Sequence, residues 1–178
     1  GYLDRPDSSL VHLVELSRAE GWLEAQGQAS GGVFLDDTQA LFDAMTAIQD
    51  AGRSVVLIGV TWALVDAAEA WRSADRPPLK EGVHIAVTGG MKGRREEWVS
   101  ERVREAIQEG FGCRTVAGEY GMTELLSQAW SLKDGLYQTP PWMRIRLRRT
   151  DDALSVNASG STGGVDLIDL ANLSSCAF

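Results

Sequence analysis

The sequence predicts an α/β fold, a parallel sheet with flanking helices, from three observations. Apolar β-branched runs recur at Ser54 to Val60 and Val83 to Val87, each of strand length. Segments with apolar residues at helical spacing alternate with them. Glycine or proline marks most junctions, as strand-helix-strand crossovers require.

Asp36-Asp37-Thr38-Gln39 reads as a capping box opening a helix, since Leu41, Phe42, Met45 and Ile48 follow at helical spacing and Gly52 ends the pattern. Ser54 to Val60 reads as a strand buried on both faces, and Trp62 to Ser73 as the helix after it. A Pro77-Pro78 turn leads to the strand Val83 to Val87. The next helix is expected from about Arg94 to Glu109, with Val99, Val103, Ala106 and Ile107 inward and Gly110 and Gly112 as its stop. Arg114 to Ala117 is read as a further short strand. Met143 to Arg148 alternates apolar with basic residues, and Val165 to Leu170 reads as its neighbour in an antiparallel or mixed β segment. The polar stretch from Asn157 to Gly164 reads as a flexible loop, which places the best internal boundary between residues 1–149 and 150–178.

The chain has 178 residues, 44% hydrophobic and 24% charged, which excludes a disordered or collagen-like polymer. Its net charge of −8 opposes binding to a phosphate backbone, so nucleic acid is not an expected partner. The longest apolar run, Val55 to Val65 and broken by Gly59 and Thr61, is too short for a membrane span. Neither a signal peptide nor an initiator Met opens the sequence. Cys113 and Cys176 are far apart, and with only His12 and His84 beside them they offer too few ligands for structural zinc. Reduced thiols in a cytoplasmic protein are the expectation.

Ligands of open parallel sheets collect beyond the carboxyl ends of the strands, and two loops there carry chemistry. Val87 to Arg95 runs a strand into Gly89-Gly90-Met91, then Lys92, Arg94 and Arg95. Glycines admit a flat ring or phosphate close to the backbone, and cations favour an anion. A tight turn with a solvated basic helix start accounts for the same residues. Lys92 precedes Gly93 with no Ser or Thr in the required place, so this is no Walker loop.

The second loop, Ala117 to Gln128, sets an aromatic ring at Tyr120, a hydroxyl at Thr123 and a carboxylate at Glu124 close together. A ring stacks on a base, a hydroxyl binds a phosphate oxygen, and a carboxylate holds Mg²⁺. The alternative is a helix to Gln128 capped by Thr123 or Glu124, with Tyr120 in the core.

Glu119-Tyr120-Gly121-Met122-Thr123-Glu124 resembles the Tyr-Gly-x-Thr-Glu motif of adenylate-forming enzymes, and Gly89-Gly90-Met91 falls where that superfamily places its adenine-binding glycines. Within it, the chain is most similar to the acyl-protein synthetase family, the fatty-acid-activating component of bacterial bioluminescence. The similarity extends to Ser8 to Val11, Thr88 to Arg95, Thr139 to Arg144 and Val165 to Cys176. The resemblance implies part of the large N-terminal domain of such enzymes. It also implies a two-step ligase, in which a long-chain fatty acid attacks the α-phosphorus of ATP and the acyl-adenylate then passes its acyl group to a protein thiol. Gly89, Gly90 and Met91 then line adenine, with Tyr120 stacked on it beside Gly121. Thr123 binds the α-phosphate and Glu124 coordinates Mg²⁺, which makes these two the catalytic candidates.

An acyl-transferase or acyl-reductase is the implied protein partner. Trp142 is read either as a wall of the acyl pocket or as a packing residue, and Cys113 and Cys176 as small buried residues. A glycine-rich Thr-Ser-Gly-Thr-Thr-Gly loop is absent, and the family's ribose-binding Thr-x-Asp and catalytic Lys would follow Phe178. The expectation is therefore the middle of a longer enzyme, inactive when isolated. Competing readings are a coenzyme A ligase of the phenylacetate type and a noncatalytic nucleotide-binding lobe, paired into a homo-oligomer through exposed apolar surface.

Overall fold

A computed structural model describes residues 9–21, 32–35, 37–94, 96–133, 135–152, 154–157 and 160–172. The elements are α1 (Ser9–Ala19), α2 (Thr38–Asp50), β1 (Val55–Val60), α3 (Thr61–Ser73), β2 (Val83–Thr88), α4 (Ser100–Phe111), β3 (Val116–Tyr120), β4 (Ala129–Ser131), β5 (Met143–Arg148) and β6 (Gly164–Asp169). One sheet runs β1-β2-β3-β4, with β1, β2 and β3 parallel and β4 antiparallel at the edge. β5 and β6 form a separate antiparallel pair in register from Met143 opposite Asp169 to Arg148 opposite Gly164. The fold is thus α/β, as expected, with a C-terminal β segment.

α2 starts as its composition dictates. Asp37 accepts a hydrogen bond from the Ala40 amide at 2.9 Å, which satisfies one orphan donor of the first turn. Gln39 turns away from the cap and donates to Asp43 instead, so the reciprocal half of the box does not form. Asp36 lies outside the described residues. Gly52, at φ +66°, follows the helix in the left-handed conformation glycine permits.

The two crossovers β1-α3-β2 and β2-α4-β3 step the same way across the sheet. Their helices therefore share one face and pack on each other. That contact is close because Gly110 has no side chain: a Cβ there would lie 2.6 Å from the Ala68 carbonyl carbon. Gly110 accordingly sits inside α4 instead of stopping it, and Gly112 at φ +65° ends the helix. Trp71 centres the core, 2% exposed, with Phe42 edge-on at 4.9 Å and Phe111 tilted at 5.9 Å. Its indole N–H is satisfied by the Pro77 carbonyl at 2.9 Å. Val65, Ile85, Ile107 and Val116 fill the space between helices and sheet. Each such buried side chain contributes about 1.5–3 kcal/mol.

Three expectations are corrected. β1 is not buried on both faces: Val55 and Leu57 pack on the core, but Val56 is 65% exposed, because both crossover helices lie on the other side of the sheet. His84, opposite Val56 in register, is exposed on that same face. α4 begins at Ser100 and not at Arg94, since residues 96–99 are irregular and Val99, just ahead of the helix, is extended at φ −65° and ψ 150°. Val99 is consequently an exposed cap, whereas Val103 and Ile107 face inward. β3 starts two residues later than Arg114 and runs on through Tyr120, because its far end pairs with β4 at Gly118, Glu119 and Tyr120. Among the described residues, no helix is long and apolar enough to cross a membrane.

Candidate functional site

Both loops singled out in the sequence leave the carboxyl ends of neighbouring parallel strands. Val87 of β2 lies opposite Gly118 of β3, so Thr88 and Glu119 come side by side at the next step. Thr88 Oγ1 donates to Glu119 Oε2 at 2.6 Å. Gly89 and Tyr120 then exit the two strands together. The other Glu119 oxygen folds against Gly121, where a Cβ would lie within 2.6 Å of it. Any larger residue at 121 would push that carboxylate aside.

Beneath the Gly-Gly turn, Thr61 opens α3 with its hydroxyl buried, donating to the Gly89 carbonyl at 2.6 Å. Gly89, at φ +66°, is exposed together with Gly90, while Met91 is 1% exposed and plugs the core below them. The turn therefore presents its backbone outward from an anchored base. Arg94 is exposed, and its guanidinium stacks 4.3 Å from the centre of the Trp62 ring. Arg95 lies outside the described residues.

Tyr120 is 40% exposed and meets Tyr137 edge-on at 6.1 Å, so it belongs to the surface of the site and not to the core. Residues 121–128 form turns, and the capped helix considered for this segment is absent. Thr123 and Glu124 are exposed there. Neither side chain has a hydrogen-bond partner among the described residues.

A fully buried carboxylate clasps this loop from the second sheet. Asp169 accepts from the amides of Leu126 (2.9 Å), Ser127 (2.8 Å) and Ala171 (3.1 Å) and from Ser127 Oγ (2.8 Å). Trp142 Nε1 donates to the same Ser127 hydroxyl at 2.8 Å, and Asn172 Nδ2 to the Glu124 carbonyl at 3.0 Å. Burial raises the Asp169 pKa, but the Ser127 hydroxyl and the Ala171, Ser127 and Leu126 amides outweigh it and hold the carboxyl below its usual range. Leu125, Met143 and Leu167 pack beside the clasp as a small core. Trp142, 52% exposed, thus anchors the loop through its indole N–H.

A cleft of about 160 Å³ opens between α4 and the sheet, reached at the Gly89-Gly90 turn. Gly89, Gly90 and Met91 line it, whereas Tyr120, Gly121, Thr123 and Glu124 do not. The sequence-predicted residues therefore fall into two adjoining groups, one at the cleft mouth and one on the exposed loop beyond β3. Among the described residues, no cluster of three or more His, Cys, Asp or Glu side chains is positioned to hold a metal. A single exposed carboxylate at Glu124 suits Mg²⁺ brought in on a nucleotide, because Mg²⁺ takes one or two carboxylates and completes its shell with phosphate and water.

Thr61, Glu119, Ser127 and Asp169 are the supporting residues that sequence reasoning missed. A signal existed for two. Thr61 interrupts an apolar run, and Asp169 takes the same strand parity as buried Leu167, where a charge needs a partner. Cys113 is half-buried, and burial pushes its thiol pKa up against a weaker backbone hydrogen bond, which leaves it a poor nucleophile. Cys176 lies outside the described residues. Compared with known protein families and with curated proteins, the chain matches none.

Proposed function

We propose that this chain is the nucleotide-binding segment of an ATP-dependent ligase that activates a carboxylic acid for transfer to a thiol. One observation carries the reading: the Gly89-Gly90 turn and Tyr120 leave adjacent strand ends joined by the Thr88–Glu119 hydrogen bond, with the exposed Thr123 hydroxyl and Glu124 carboxylate following in the same loop. Backbone at Gly89, Gly90 and Met91 borders the purine, and Tyr120 offers its ring for stacking. Gly121 keeps the loop close to Glu119. The Thr123 hydroxyl donates to the α-phosphate, and Glu124 holds Mg²⁺, which supplies charge neutralisation at the phosphates when bound. Phosphorus chemistry on a polyanion depends on positioning and charge stabilisation more than on a strong base, and these residues provide both without one. Cys113, half-buried and with its thiol pKa raised by burial, is poorly suited to be the acceptor thiol.

Photolabelling with 8-azido-ATP in the presence of Mg²⁺ tests the reading. Label displaced by ATP is expected in the peptides carrying Gly89 to Met91 and Tyr120 to Glu124. Label confined to other peptides contradicts it and favours a lobe with no nucleotide role.

A further inference from the structure

The cleft beside the Gly-Gly turn has a size and lining of its own. Its apolar wall is Trp98, Met91 and Val103, and its polar side carries Arg104 and Tyr137. The Arg104 side chain is 21% exposed, yet its one ion-pair partner among the described residues, Glu101 at 3.2 Å, is 70% exposed. A solvated pair of this kind contributes little and leaves much of the guanidinium fork free to bind a planar anion. The Tyr137 hydroxyl lies over buried Gly118, 2.7 Å from where a Cβ would be, and has no hydrogen-bond partner among the described residues. Glu97 also lines the cleft, 3.7 Å from where a Gly90 Cβ would be, and disfavours a second negative charge on that side.

We propose that this cleft binds a compact, ring-sized monocarboxylic acid, its apolar body against Trp98, Met91 and Val103 and its carboxylate on Arg104 and Tyr137. Volume decides the class. An apolar cavity of about 150 Å³ holds one benzene, and this cleft measures about 160 Å³. A long acyl chain carries more than double the carbon atoms of benzene and would have to run out through the open side, so the cleft favours an acid smaller than the fatty acid implied by the sequence resemblance. As the acid to be activated, the ligand rests on the nucleotide reading; as a bound carboxylate beside Gly89 and Gly90, it does not.

Calorimetric titration of the chain with benzoate, benzyl alcohol and dodecanoate, without nucleotide, tests the assignment. Saturable benzoate binding is expected, with benzyl alcohol about tenfold weaker or worse, because a hydrogen bond to a charged group is worth that much. Arg104→Gln is expected to weaken benzoate at least about tenfold and to leave MgATP titration unchanged, so this proposal and the nucleotide reading fail separately. Tyr137→Phe, which removes only the hydroxyl, gives a smaller loss and carries the test should Arg104→Gln not fold. Absence of saturable benzoate binding, equal binding by both variants, or displacement of benzoate by dodecanoate overturns the proposal.

Discussion

The Thr88 hydroxyl donates a 2.6 Å hydrogen bond to the Glu119 carboxylate, joining the ends of two parallel strands where both candidate loops begin. Thr88→Val preserves the shape and removes the donor. A hydrogen bond to a charged group contributes about 1.5–3 kcal/mol, less where solvent reaches it, so a loss of about 1 kcal/mol in urea unfolding is expected. MgATP binding should weaken with it, since the two loops lose their tie.

Thr61 supports the Gly-Gly turn from below through its 2.6 Å bond to the Gly89 carbonyl. Thr61→Val is nearly isosteric and leaves that carbonyl to water. Stability should fall by about 1 kcal/mol, and hydrogen exchange at residues 89–91 should quicken while exchange in α3 stays slow.

Asp169 couples the loop after Glu124 to the β5-β6 pair, and its depressed pKa gives the coupling a pH dependence. Because the folded-state pKa lies below the unfolded value of about 3.9, the stabilisation is complete above that value and disappears as pH falls through the lower folded one. Urea midpoints of the wild type should be level from neutral pH down to mildly acidic solution and then drop. Asp169→Asn should be less stable at neutral pH, by about 2 kcal/mol, and should lack this part of the acid dependence. Equal acid profiles for both proteins would show that the clasp does not depend on charge.

Gly110 lies where α3 and α4 approach most closely, and its missing side chain is a packing requirement. In an exposed helix interior, replacing Gly by Ala stabilises by about 1 kcal/mol. Here the new Cβ meets the Ala68 backbone, which has no flexible end to move aside, so Gly110→Ala should destabilise by about 1–3 kcal/mol in thermal melts.

The alternation of strands and helices was readable because β-branched runs such as Val55 to Val60 and capped amphipathic segments such as Thr38 to Asp50 carry their own local signals. The two loops at the strand ends were readable for the same reason, since each follows a recognisable run with glycine. β4 was not: Ala129, Trp130 and Ser131 form a strand only because Gly118 to Tyr120 pair with them. The start of α4 was misplaced because nothing local in residues 96–99 announces their irregular path or the extended Val99 that caps the helix. Neither was the support of the site visible, for Thr61 reaches Gly89 across 28 residues and Ser127 reaches Asp169 across 42. Such partners are set by sheet order, which local pattern does not encode.

Equilibrium titration of MgATP into the chain and into its Tyr120→Ala and Glu124→Ala variants measures the central claim most directly. The account predicts saturable binding, weakened about tenfold or more by Tyr120→Ala whether or not Mg²⁺ is present, through loss of the stacking ring. It predicts weakening by Glu124→Ala only when Mg²⁺ is present. Binding that is absent from the wild type, or unchanged in both variants, would contradict it.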